Sequence, residues 1–149
     1  MKRMLTLFVA TSAITLAGSA WAQFAKPDDA VKYRKAALTV MGTHWARLAG
    51  MAQGRIPYDA KVAADNAAVL EVTHKLPWAG FGADTQSIES KAKPEIWKDA
   101  AKFQEAQDKL LTEVPKVVAA ARSGKADDLK AAFSASGGVC KNCHDSFRQ

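Results

Sequence analysis

Cysteine is scarce in this chain: Cys140 and Cys143 are the only two in 149 residues. A disulfide across so tight a loop would staple nothing. A four-ligand structural zinc site is also excluded, because only three histidines accompany them and His44 and His74 lie far upstream. Sustained period-two alternation is missing, so no sheet is expected. Without a βαβ pattern, the setting of a thioredoxin-type redox pair is missing too. Repeats and low-complexity runs are absent. Charge of one sign is not in large excess: 21 Lys and Arg against 15 Asp and Glu give a formal charge of +6. Two of those positive charges, Lys2 and Arg3, fall in an N-terminal leader. No basic stripe with interleaved aromatics appears, which argues against a nucleic-acid partner.

The chain does have a terminal Cys140-Lys141-Asn142-Cys143-His144. Cys-x-x-Cys-His is the attachment signature of a covalent c-type haem. The two thiols add across the porphyrin vinyl groups, and the adjacent imidazole binds the iron. A helix suits this chemistry, because positions three and four apart share one face. One covalent haem c per chain, carrying iron, is therefore the expected cofactor.

Residues 1–22 read as a cleaved secretory signal. Lys2 and Arg3 form a positive start, Met4 to Ala17 is mostly apolar, and Ala20-Trp21-Ala22 is an A-x-A-like cleavage site. The apolar run is too short for a comfortable membrane span, so no membrane attachment is expected after cleavage. Export agrees with the haem motif, since bacterial c-type haem is attached outside the cytoplasm. The periplasm is the expected compartment, and residues 23–149 suit one domain.

Those residues are helical in pattern throughout. Pro27-Asp28-Asp29 opens a first helix, and Val31, Leu38, Met41, Trp45 and Leu48 form a heptad-like stripe. Gly54 and Pro57 end it. Asp59 can cap a second helix running to about Lys75. Pro77 stops that helix, and an irregular stretch from Pro77 to Lys93 holds Trp78 and Phe81. A third helix is expected from about Pro94 to Arg122, kinked at Pro115, with Ser123-Gly124 closing it. A fourth begins near Ala126 and carries the haem motif to Phe147, weakened at Gly137-Gly138. The fold class is all-α: an antiparallel up-down four-helix bundle with haem c on the last helix.

Function turns on the second axial position of the iron. Only five residues follow His144, none of them Met or His, so a sixth ligand must come from upstream. Leu38 and Met41 lie three apart on one helix face. With Leu38 toward the iron the site is apolar and open. With Met41 toward it the iron is six-coordinate and the protein an electron carrier. Met on an apolar stripe is ordinarily core filling. His44 and His74 suit surface or interface positions better than ligation.

Residues 23–149 resemble the cytochrome c' family. The resemblance is carried by Phe24-Ala25-Lys26-Pro27, the Tyr33-Arg34 to Met41 segment, Leu76-Pro77-Trp78 with Phe81, Lys93-Pro94-Glu95-Ile96-Trp97, and the terminal haem motif with Arg148. It implies a four-helix bundle, a homodimer packed through its first two helices, and a five-coordinate, largely high-spin haem. By position it makes Cys140 and Cys143 the thioether cysteines and His144 the proximal ligand. It makes Leu38 the distal residue, with Met41, Trp78 and Phe81 as its apolar surround. Arg34 and Lys35 fall where the family contacts the haem propionates, and Glu89, Ser90 and Lys91 where it places further haem contacts. Arg148 matches a basic residue beside the proximal imidazole. Two departures stand out: Phe147 replaces a Tyr found in many relatives, and Pro115 is unexpected in the third helix.

The residues and the resemblance imply the same chemistry. An apolar distal pocket offers no donor to polarised dioxygen, whereas nitric oxide needs none and carbon monoxide is intermediate. The expected function is nitric oxide binding, as scavenger, buffer or carrier, with carbon monoxide as a second ligand. A redox role with an unidentified partner can coexist with it. A peroxidase-type enzyme needs a distal acid–base group, and this pocket has none.

Overall fold

A computed structural model of the chain describes residues 23–136 and 138–149. The expected signal segment, residues 1–22, lies outside the described residues. Among the described residues six helices follow in order: α1 Pro27–Ala52, α2 Ala60–Thr73, α3 Glu95–Lys98, α4 Ala100–Arg122, α5 Ala126–Ala135 and α6 Val139–Phe147. Two 3-10 turns, Pro77–Phe81 and Ala83–Thr85, occupy the long connection after α2. No strand forms among the described residues; one isolated antiparallel bridge joins Ala92 to Arg148.

Local chemistry explains most boundaries. Pro27 sits in the first turn of α1 with Asp28 and Asp29, where a missing N–H is harmless and negative charge meets the positive helix end. Gly54, at φ +67°, reverses the chain after α1 in a conformation that strains other residues. The Asp59 carboxylate caps α2 by accepting from the Val62 N–H at 2.8 Å.

The four legs of the bundle are α1, α2, α3 with α4, and α5 with α6. Helix α2 packs against both α1 and α4, while α5 packs against α1 and α4. Ala63, Ala67 and Leu70 form the buried stripe of α2, and the alanines let its neighbours approach closely. Leu48 and Met51 from α1, Leu110, Val114 and Val117 from α4, and Leu129 and Phe133 from α5 complete the core. Burying a leucine fully contributes about 1.5–3 kcal/mol, so these side chains dominate the stability of the bundle. Trp45 ties α1 to α5 against Phe133, with ring centroids 4.5 Å apart.

Three expectations need correction. The third helix does not run unbroken from Pro94: Asp99 leaves helical geometry (φ −124°, ψ 58°) and its carboxylate caps α4 at the Lys102 N–H, 3.4 Å away. The fourth helix is likewise divided, α5 ending at Ala135 and α6 starting at Val139. His74, expected at the surface or at an interface, is not at the surface: it is 2% exposed, and its Nδ1 donates to the Leu70 carbonyl at 2.7 Å. Pro115 does lie inside α4, as the sequence requires.

Candidate haem site

Helix α6 carries the terminal motif. Val139 and Phe147 are buried and anchor its two ends. Val139, Cys143 and Phe147, four apart in succession, line a groove against Lys102, Glu105, Ala106 and Lys109 of α4. Cys140 and Cys143 are half-buried, while His144 is exposed. Burial pushes the Cys140 thiol up to about 11, with Cys143 adding to the effect, and burial raises Cys143 as well. Reactive redox cysteines are shifted the other way. This environment disfavours thiolate and suits sulfur that ends as a neutral thioether. His144 is held below its ordinary value, chiefly by partial desolvation of its ring against the helix and then by Arg148, against an opposing pull from Asp145. Its imidazole is therefore biased toward the neutral form, which has a ring nitrogen free to bind a metal.

The facing wall is built from α1 and the Pro77–Phe81 turn. Gly80 lets the turn lie directly on the helix: a Cβ there would sit 2.7 Å from both the Ala30 carbonyl oxygen and the Arg34 Cβ. The close approach fixes Trp78 and Phe81. The Trp78 indole N–H donates to the His74 carbonyl at 2.8 Å, and the Trp97 indole donates to the Phe81 carbonyl at 3.1 Å. A row of rings then crosses the molecule. Trp78 and Phe81 are 6.4 Å apart, Phe81 and Phe103 5.0 Å, and Phe103 and Phe147 5.3 Å. The wall therefore reaches α6 through Phe103 of α4, a residue not foreseen as part of the site.

Leu38 and Met41 differ in their surroundings. Both are half-buried, but Met41, like Trp78, packs against the hydrophobic core, whereas Leu38 stands apart from that cluster.

Arg34 is the other fixed point. It is 2% exposed. Its guanidinium donates to the Gly80 carbonyl at 2.8 Å, to Thr85 Oγ1 at 2.9 Å and to Ser90 Oγ at 3.0 Å. It also lies 4.5 Å from the centre of the Phe81 ring. Burial lowers its affinity for its proton. No carboxylate among the described residues forms a salt bridge with it, so a buried cation lacks an anion. Ser90 thus joins the site through Arg34. Lys35 and Glu89 are exposed and take no part in these contacts. Lys91 enters through its carbonyl, which accepts from the Gln149 N–H at 2.9 Å. Arg148 is exposed beside His144. Thr85, Gly80 and Trp97 were not foreseen as site residues. The one signal available was Gly80, a glycine set between two aromatics.

These residues fit haem c. Half-buried thiols share a helix face with an imidazole biased toward the neutral form, an apolar aromatic wall stands nearby, and a buried cation with no salt-bridge partner among the described residues suits the carboxylates such a group carries.

Residues 29–148 match the family model described as cytochrome C'. The chain is 46% identical over 128 residues to cytochrome c' of Rubrivivax gelatinosus, covering 85% of this chain and 99% of that protein. The crystal structure of that protein superposes with a TM-score of 0.80, covering 85% of this chain and 100% of the other. A nitric oxide complex of a leucine-to-isoleucine variant of cytochrome c prime from Alcaligenes xylosoxidans superposes at 0.76 with 45% identity, over 85% of this chain and 99% of that one. With the bundle, the terminal haem motif and these likenesses together, the chain belongs to the cytochrome c' family, whose members carry covalently bound haem c.

Proposed function

We propose that this protein is a periplasmic haem protein whose iron is five-coordinate and binds nitric oxide, and more weakly carbon monoxide, in an apolar pocket. The observation that carries this reading is the contrast on α1. Both side chains are half-buried, but Met41 is engaged in core packing and Leu38 lies outside it. This favours Leu38 as the residue facing the open site over Met41 as a sixth ligand. The nitric oxide complex of the Alcaligenes relative supports the choice of ligand.

Each residue has a defined task in this reading. Cys140 and Cys143 hold the haem as thioethers, and His144 is the iron ligand. Haem, when bound, supplies an iron that takes a diatomic ligand and passes single electrons. Leu38 crowds the open position, and Met41, Trp78 and Phe81 keep water and hydrogen-bond donors away. The Trp78 indole cannot donate into the pocket while it serves the His74 carbonyl at 2.8 Å. Arg34 orients a propionate, with Ser90 beside it and Lys35, Glu89 and Lys91 as further haem contacts. Phe147 and Arg148 flank the proximal imidazole. No acid–base group stands among the four distal side chains, which argues against an enzyme.

The leader composition of residues 1–22 supports export. Among the described residues, no helix is long and apolar enough to cross a membrane. Exposed valines on the first two helices, Val40 at 42%, Val62 at 41% and Val72 at 60%, support a homodimer packed through α1 and α2. An electron-transfer role with an unidentified partner is compatible with the same iron.

The test is the visible spectrum of the holoprotein, ferric and ferrous, before and after anaerobic nitric oxide. A broad high-spin ferrous spectrum that changes with nitric oxide supports the reading. Sharp low-spin bands, with the weak long-wavelength band of Met–iron ligation in the ferric form, would instead make the protein a six-coordinate electron carrier with Met41 on the iron. Leu38→Ala should bind carbon monoxide markedly faster, and unchanged kinetics would remove Leu38 from the distal role.

A further inference from the structure

Helix α6 is nine residues long and is separated from α5, so what holds its C-terminal end decides how it tilts. The last carbonyls of any helix lack internal partners. Here two of the last four are taken by one residue of a distant segment. The Asp145 carbonyl accepts from Lys93 Nζ at 2.8 Å, and the Phe147 carbonyl accepts from the Lys93 backbone N–H at 2.9 Å. The chain then leaves the helix at Arg148 (φ −127°, ψ 135°) and pairs with Ala92, and the Gln149 N–H donates to the Lys91 carbonyl at 2.9 Å. The Lys93 ammonium thus sits at the negative end of the helix dipole, on the residue next to His144.

Lys93 is itself fixed. Its carbonyl accepts from the Ile96 N–H at 3.2 Å, which opens α3. The indole of Trp97 in α3 donates to the Phe81 and Gly82 carbonyls, at 3.1 and 3.2 Å. A continuous set of hydrogen bonds and covalent turns therefore runs from the Phe81 wall, through α3 and Lys93, to the end of α6.

We propose that Lys93 is a positioning residue for His144: by bonding α6 with both its main chain and its side chain, it sets the orientation of the imidazole relative to the wall bearing Phe81. This rests on His144 being the iron ligand. Partners outside the ligand commonly fix its orientation in this way.

The test uses the haem-loaded protein and its Lys93→Met and Lys93→Arg variants, with two readouts. Amide hydrogen exchange at Arg148 and Gln149 should be about tenfold faster or more in Lys93→Met, with α4 amides unchanged, as expected for a local release. The hyperfine-shifted ring protons of His144 in the ferric protein should move in Lys93→Met and return toward wild type in Lys93→Arg. Unchanged exchange at Arg148 and Gln149 would overturn the proposal. So would unmoved His144 resonances, or exchange that rises equally in α4, because each leaves Lys93 with a structural role at most. If Lys93→Met fails to accumulate, Lys93→Gln, which is too short to keep the Asp145 contact but leaves the main-chain bond to Phe147, is judged by the same two readouts. Both readouts compare variant with wild type in the same iron state, so they can be made whatever occupies the other side of the iron. A six-coordinate spectrum would therefore end the gas-binding reading and leave the clamp to be judged separately.

Discussion

Replacing Gly80 with alanine adds one methyl group at the tightest contact of the proposed pocket. That methyl would sit 2.7 Å from the Ala30 carbonyl oxygen and from the Arg34 Cβ, whereas ordinary contact begins at 3.4 Å. The turn and α1 must therefore part by about 0.7 Å, and neither partner is the free end of a flexible side chain. Overpacking costs about 1–3 kcal/mol. The upper half of that range applies here, because Arg34 is also held by Gly80, Thr85 and Ser90 and cannot swing away. At this chain length about 2.5 kcal/mol lowers the melting temperature by roughly 10 °C. Gly42 supplies the control. It lies inside the same helix with nothing within 4 Å of a built Cβ, so Gly42→Ala should stabilise by about 0.5–1 kcal/mol. Thermal melts of the two holoproteins, followed by circular dichroism, should move in opposite directions. Carbon monoxide association should change in Gly80→Ala alone, because Trp78 and Phe81 ride on the displaced turn. A Gly80→Ala protein that melts within about 2 °C of wild type and binds carbon monoxide at the same rate would refute the close approach.

Two further variants test other parts of the structure. Arg34→Met removes the donor to a buried carbonyl and two hydroxyls. It should cost about 2 kcal/mol in denaturant unfolding, because the relief from desolvating a charge offsets part of the loss. It should also lower the reduction potential, since a nearby cation favours the less positive iron; an unchanged potential would place Arg34 away from the haem. Glu71→Gln tests pH dependence. Arg122 grips the Glu71 carboxylate through two hydrogen bonds, at 2.9 and 2.6 Å, and holds it below its ordinary value of 4.5. The folded value is the lower one, so the unfolded chain takes up the proton first as pH falls. The stabilisation is complete above the unfolded value and is lost as pH drops through the folded one. Wild type should therefore melt slightly above the variant at pH 7, with the gap shrinking as pH falls below 4.5, and a gap that stays constant down to pH 3 would rule out the pair as the cause.

Sequence legibility followed the range of the interactions involved. The start of α1 at Pro27, its end at Gly54 and the Asp59 cap are decided within one turn of chain, and each was readable. The break at Asp99 was not. Ile96, Trp97, Ala100 and Phe103 keep a helical apolar pattern straight across it, while the interactions that favour the break include the Trp97 indole reaching back to Phe81 and Gly82. Cys140, Cys143 and His144 announce a covalent haem at once, because their spacing is the chemistry. Arg34 was placed by resemblance, but its complete burial depends on acceptors 46, 51 and 56 positions away. His74 was misplaced for a related reason. A histidine at a helix end gives no local sign of burial, whereas this one is 2% exposed and borders a groove with Pro115, Val118 and Ala119 of α4.

The same contacts that complete the bundle also complete the proposed site. The motif lies at the C-terminus, Leu38 and Arg34 lie in α1, and the aromatic wall lies between them in sequence. Phe103 joins the wall to α6 by ring contacts, and Lys93 joins α6 to the segment that supports the wall. Neither link is local, so neither persists in a chain whose bundle has opened. Loosening α6 and loosening the pocket should then be one event. That coupling gives a physical reason for a small bundle to keep a guanidinium buried without a carboxylate: Arg34 spends its donors on the Pro77–Phe81 turn and on Thr85 and Ser90, which fixes the wall, and its unbalanced charge remains available to a carboxylate of the bound group.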